Sequence, residues 1–125
     1  MKMSHRKLSG GLVLTLALVV SSSAVAAPTV TTPALGAFGT NRLVCTVTNV
    51  SKKDVDVTVQ VVSDAGTILA NVPFTIEPGK ASGAGTGMGP TQGFCRVTGA
   101  SKSKVRVALC VTDSVLNCLA AVPGQ

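Results

Sequence analysis

Two stretches of strict alternation restrict this chain more than any other feature of it. From Asp54 to Val62, Val55, Val57, Val59 and Val61 alternate with Asp56, Thr58 and Gln60. From Lys104 to Val111, Val105, Val107, Leu109 and Val111 alternate with Lys104, Arg106, Ala108 and Cys110. A β-strand turns successive side chains to opposite faces, so each stretch has one apolar face and one face for water. After residue 26 no stretch keeps the 3.6-residue apolar period of a helix for any length. The chain is therefore expected to be all-β.

Weaker strands fill in around these two. Arg42–Val50 places Leu43, Cys45 and Val47 on one face, and Gln92–Gly99 does the same with Cys95 and Val97. Ser51–Asp54 reads as a turn, and a hairpin across it would set Val47 opposite Val57 and Cys45 opposite Val59. Gly99–Lys102 reads as a second turn, setting Val97 opposite Val105, Cys95 opposite Val107, and Arg96 opposite Arg106, where like charges repel. After the Ser63–Thr67 turn the apolar parity moves to Ile68, Ala70, Val72, Phe74 and Ile76. A left-handed Gly66 with a bulge would cause that switch. Pro73 puts this strand at an edge. Glu77–Lys80 is another turn. Ala81–Gly93 is glycine-rich, with no helix pattern after it to make a phosphate loop, and reads as a flexible loop or a weak strand. Asp113–Asn117 is the last turn and Cys118–Val122 a short final strand. About six or seven strands at this spacing favour a two-sheet antiparallel sandwich over a barrel.

Residues 1–26 read as a cleavable signal peptide. Lys2, Arg6 and Lys7 precede the apolar run Gly11–Val20, and Ala24–Ala26 supplies the small-x-small cleavage pattern. The run is too short to span a bilayer comfortably, and no later segment is apolar enough to cross one. Processing after Ala26 removes the single histidine and three of the eleven Lys and Arg residues, leaving eight against five Asp and Glu. That mild balance gives little pull toward nucleic acid. Residues 27–40, rich in Pro, Thr, Gly and Ala, are expected to form a flexible leader, and residues 41–125 the sandwich. Export implies a secreted or periplasmic protein.

Parity also pairs the four cysteines. Zinc sites bring two ligands close together, as in C-x-x-C, whereas Cys45, Cys95, Cys110 and Cys118 are widely spaced in a chain bound for an oxidising compartment. Cys45 and Cys95 share faces with core residues, so they are expected to join across the core. Cys110 is out of phase with Val107, Leu109 and Val111 and points outward. Cys118 lies across a short turn from it. The expected pairs are Cys45–Cys95 and Cys110–Cys118.

The runs Val47–Ser51, Val55–Val61, Asp64–Gly66 and Thr75–Gly79 resemble small immunoglobulin-like or fibronectin-type-III-like domains of exported bacterial proteins. In those domains an Asn closes an early strand, a D-x-G turn follows the next, and a strand ends in Pro-Gly at a crossover. Val105–Cys110 and Asn117–Pro123 look like the endings of small exported bacterial proteins with no assigned activity. The likeness spans roughly residues 41–80. The chain lacks the core Trp and the corner Tyr of antibody-type domains. The resemblance implies a fold and a compartment, and no active site.

Chemistry-bearing residues are sparse. Without a histidine, no base is at hand to activate a nucleophile, so catalysis is not expected. Asp54 and Asp56 share a strand face, but with no further acid nearby they read as solvated surface rather than a calcium site. Asn49–Ser51 matches a glycosylation sequon, of little weight in a bacterial-looking chain. No metal or other cofactor is expected. Arg96, Lys104 and Arg106 fall on the outer parity of two strands and form the candidate ligand-binding face, with Lys102 at its end. Its partners would be an envelope protein or an anionic surface such as phosphate or acidic polysaccharide. With no Trp or Tyr and three Phe, base stacking and aromatic sugar platforms are disfavoured. The expectation is a structural or binding role in the bacterial envelope. A secreted hydrolase is the rival.

Overall fold

The computed structural model describes residues 27–125; the expected signal peptide, residues 1–26, lies outside them. The described residues form two antiparallel sheets packed face to face. Sheet A contains β1 (Thr29–Thr31), β2 (Leu35–Ala37), β4 (Val55–Ser63), β5 (Ile68–Ile76) and β7 (Thr91–Thr98). Its order is β1-β7-β4-β5, with β2 also pairing β7. Sheet B contains β3 (Arg42–Asn49), β6 (Ala81–Gly85), β8 (Val105–Thr112) and β9 (Cys118–Pro123), in the order β6-β3-β8-β9. The fold is an all-β two-sheet sandwich with nine strands among the described residues rather than six or seven. No helix of the described residues is long and apolar enough to cross a membrane.

The alternating faces meet in one core. Val55, Val57, Val59 and Val61 from β4 pack with Cys95 and Val97 from β7 on one side. Leu43, Cys45 and Val47 from β3 and Val105, Val107, Leu109 and Val111 from β8 supply the other side. β-branched side chains suit such a pleated, enclosed surface. Phe74 only flanks this cluster, so aliphatic side chains carry the centre.

The in-sheet partners differ from those expected. β3 and β4 do not form a hairpin, because β3 pairs with β6 and β8 while β4 pairs with β5 and β7. Nor do β7 and β8. Two strands that face each other across a sandwich have the same inward parity as two strands side by side, so alternation names the core face and leaves the neighbour open. Each crossing has a local cause. At the first, the buried Asn49 side chain donates to the Lys53 carbonyl and to the Ile76 carbonyl, both at 2.8 Å, which turns the chain from sheet B toward sheet A. At the second, Gly99 has φ +114°, and a Cβ there would lie 2.4 Å from the Asp56 carbonyl oxygen. Ala100 then drops into the core as the chain passes between sheets.

Residues 27–40 are not a free leader. β1 pairs with β7 in the register Val30 to Val97, and β2 pairs with it in the register Leu35 to Gly93. Val30 and Ala37 are buried in the core. Between the two strands Thr32 replaces the ladder, its backbone N–H donating to the Cys95 carbonyl at 3.0 Å and its hydroxyl accepting the Cys95 N–H at 2.9 Å.

β5 does lie at an edge of sheet A, as Pro73 requires. Gly66 adopts φ +87° and its N–H donates to the Ser63 carbonyl at 2.9 Å. The parity change arises three residues later, where Val62 pairs with Ile68 and Val61 with Ala70, leaving Leu69 as the extra residue of a bulge. The glycine-rich segment begins as strand β6. A Cβ on its Gly83 would lie 2.7 Å from the Cys45 carbonyl oxygen, so glycine permits the close approach to β3.

Two disulfides are present. Cys45–Cys95 joins β3 to β7 through the core, both residues being fully buried, and Cys110–Cys118 clips β8 to β9 on the outer side of sheet B. This is the pairing that inward and outward parity gives. The register of the second differs by a bulge: Thr112 lies opposite Cys118 while Cys110 lies opposite Ala121. Two disulfides are the chemistry of an oxidising, extracytoplasmic environment.

Candidate functional site

The charges are sorted toward one end of the sandwich. β3 runs from Arg42 at one end to Asn49 at the other, and three loops gather at the Asn49 end. Backbone hydrogen bonds lace them together: Asn49 N–H to the Lys80 carbonyl, Val50 N–H to the Lys104 carbonyl and Gly79 N–H to the Asn49 carbonyl, each 2.9 Å. Those loops and the adjoining start of β8 carry Lys52, Lys53, Lys80, Lys102, Lys104 and Arg106. They are six of the eight Lys and Arg residues between 27 and 125. Asp54, Asp56 and Glu77 share the end without balancing it, and Asp56 is engaged by the Thr75 hydroxyl at 2.6 Å.

The three residues expected to share one face are divided. Lys104 and Arg106 lie together at the lysine-rich end. Arg96 lies on β7 in the other sheet, where its Nε donates to Gln60 Oε1 at 2.9 Å and its strand neighbours are Gln60 and Thr31. The expected repulsion between Arg96 and Arg106 therefore does not arise. What alternation gave correctly was that each points outward, and what it omitted was the identity of the sheet. Lys52, Lys53 and Lys80 were missed as partners of Lys104 because each sits in a turn, where a lysine reads as ordinary solvated surface.

Two of the recesses that border this end are lined by lysines. In the first, of about 420 Å³, Lys52, Lys53 and Lys104 surround Ser51 and Asp54. The second is an open groove of about 710 Å³ over the neighbouring part of sheet B, where Lys102, Ser103 and Arg106 meet Thr46, Thr48 and Pro123. The Arg106 guanidinium folds back against its own strand, with Nη1 donating to the Lys102 carbonyl at 2.6 Å and to the Val105 carbonyl at 3.1 Å. That fixes the cation at the rim of the groove.

The opposite end is different in kind. Phe38, Met88, Val115 and Leu116 are exposed on its loops. Asp113 closes the last of these, its Oδ1 accepting the N–H groups of Asn117 at 2.8 Å and Val115 at 3.0 Å. These bonds, the one from Asn117 first, hold its carboxyl below the usual aspartate value, because they stabilise the charged form. Among the described residues no three His, Cys, Asp or Glu side chains gather into a group able to hold a metal ion.

No protein-family model matches the chain, and no curated protein matches it. Solved structures do. The crystal structure of Thermotoga maritima 1070 aligns with a TM-score of 0.50 at 10% identity, covering 82% of this chain and 96% of that one. FlgD from P. aeruginosa aligns with a TM-score of 0.33 at 10% identity, covering 82% of this chain and 77% of that one. At such identity the first likeness is one of fold, and the second adds no weight to it.

Proposed function

We propose that this chain is an exported, immunoglobulin-like binding module of the bacterial envelope, secreted or periplasmic and without catalytic activity, which holds an anionic surface against its lysine-rich end. The observation that carries the reading is the meeting of Lys52, Lys53, Lys80, Lys102, Lys104 and Arg106 on loops laced by backbone hydrogen bonds. Cations so clustered raise the local potential and draw in polyanions. The immunoglobulin-like part of the reading is supported by a buried disulfide linking the two sheets, the arrangement found in antibody domains, although the Trp that packs on it there is missing here.

The test uses residues 27–125, immobilised heparin and phosphatidylglycerol vesicles. Lys52→Glu, Lys53→Glu and Lys104→Glu together should weaken binding at least tenfold. Added salt should weaken it too, since exposed charges are screened beyond about 8 Å at physiological ionic strength. Arg96→Glu is the control: it reverses one charge on the other sheet and should leave binding nearly unchanged. Retention that ignores both the triple reversal and salt removes this function.

A further inference from the structure

We infer that the groove over sheet B is a seat for a linear acidic polysaccharide, with Thr46 and Thr48 contacting its hydroxyls and Lys102 and Arg106 its carboxylate or sulfate groups. The inference rests on the anionic-surface reading and specifies its ligand.

The register of sheet B builds the seat. Thr48 lies between Ala81 and Arg106, and Thr46 between Gly83 and Ala108, which in turn lies beside Pro123. All share the outward parity. Apart from Arg106 this part of the face carries only small side chains, so it is flat and leaves backbone-level room. Thr46 and Thr48 are alternate residues of β3, and the strand rise spaces alternate residues about 6.6 Å apart. A flat floor with regularly spaced hydroxyls suits successive sugar rings, whose own hydroxyls both donate and accept. Arg106 is braced by two carbonyls and offers its remaining N–H groups to an anion.

The site also separates one polyanion from others. A bilayer meets convex tips, whereas these threonines line a groove on the side of a sheet. Single-stranded nucleic acid would need π-faces to stack its bases, and the groove has none: Phe38 is on the opposite end, while Phe74 and Phe94 belong to sheet A; a sugar seated here is held by hydroxyl and charge contacts rather than by an aromatic platform. The groove neighbours the lysine recess along the turn that carries Lys102, Ser103 and Lys104. Lys102 and Ser103 line the groove and Lys104 lines the recess with Lys52 and Lys53, so a polymer leaving the groove crosses one short loop to reach three more cations.

Binding of residues 27–125 to alginate oligosaccharides, neutral dextran and phosphatidylglycerol vesicles, measured by calorimetry, tests the assignment. Thr46→Val with Thr48→Val keeps shape and strand preference but removes both hydroxyls. It should weaken alginate binding about tenfold, the effect of two lost hydrogen bonds, and leave vesicle binding unchanged. Thr46→Ser with Thr48→Ser keeps the hydroxyls and should bind alginate like the parent, which separates hydroxyl recognition from a folding defect. Dextran, without charge, should not bind measurably. Alginate binding unaltered by the valine pair, or vesicle binding with no alginate binding, would overturn the polysaccharide assignment while leaving the anionic surface standing. Indifference of every ligand to Lys52→Glu with Lys53→Glu would overturn both.

Discussion

Asn49 contributes more to this fold than its residue type announces. It is fully buried, and its side chain is satisfied at both ends. Nδ2 donates to the Lys53 and Ile76 carbonyls, and Oδ1 accepts the Ser51 N–H at 2.8 Å and the Ser51 hydroxyl at 2.7 Å. Its main chain meets Lys80 and Gly79. One residue thus ties the end of β3 to the end of β5 and to two of the loops that carry lysines. Asn49→Ala would strand the buried Ile76 carbonyl and leave the half-buried Ser51 N–H without its acceptor, while the Lys53 carbonyl keeps the Ser51 hydroxyl at 2.9 Å. Each buried unpaired group costs about 1–3 kcal/mol, so the loss should be about 2–4 kcal/mol. Asn49→Asp should be worse, because a carboxylate would face two carbonyl oxygens without a proton to offer. Urea unfolding measures both, read as a shift of midpoint at constant slope. A loss below about 1 kcal/mol would mean that the Ser51–Asp54 turn holds without its asparagine.

At the level of strands, the sequence made some properties plain and hid others for a definite reason. Alternation identified the inward residues of β3, β4, β7 and β8, and through them both disulfides. It carried no information on which strand lies beside which, and so misassigned the β3–β4 and β7–β8 neighbours and placed Arg96 on the wrong sheet. Strands β1 and β2 were illegible because each has only three residues, too few to display a period, with Pro28 before the first and Pro33 between them. The pause at Thr32 is bridged by one side-chain and one backbone bond to Cys95, distant by 63 residues. Their contribution is measurable. Residues 41–125 alone would leave the β7 edge unpaired and remove Val30 from the core. Burial of a valine is worth about 1.5–3 kcal/mol, to which the lost ladder bonds add, so the shortened chain should be at least about 3 kcal/mol less stable than residues 27–125. Equal midpoints for the two chains in urea would show β1 and β2 to be energetically idle.

Across the whole molecule, two sheets joined by β-branched packing are fastened by covalent links of unequal reach. Cys45–Cys95 spans 50 residues of sequence and passes between the sheets, while Cys110–Cys118 spans 8 and stays within sheet B. In the chain-entropy model these closures are worth about 4 and about 2.6 kcal/mol. A domain of this size holds about 5–15 kcal/mol in all, so losing the first can approach global unfolding, whereas losing the second should loosen chiefly β9, already an exposed edge strand. Access follows the same division: Cys45 and Cys95 are fully buried, and Cys118 is exposed. Thiol–disulfide exchange requires the attacking thiolate to reach sulfur, so a mild reductant acting on the folded protein should open Cys110–Cys118 first. Alkylation of partly reduced protein followed by peptide mass mapping should place the first pair of labels on Cys110 and Cys118. Cys110→Ala with Cys118→Ala should still fold cooperatively, and Cys45→Ala with Cys95→Ala should lose most or all of its unfolding transition. First labels on Cys45 and Cys95 would mean that the two sheets part more readily than the last hairpin frays, which would contradict a core sealed by the alternating faces of β3, β4, β7 and β8.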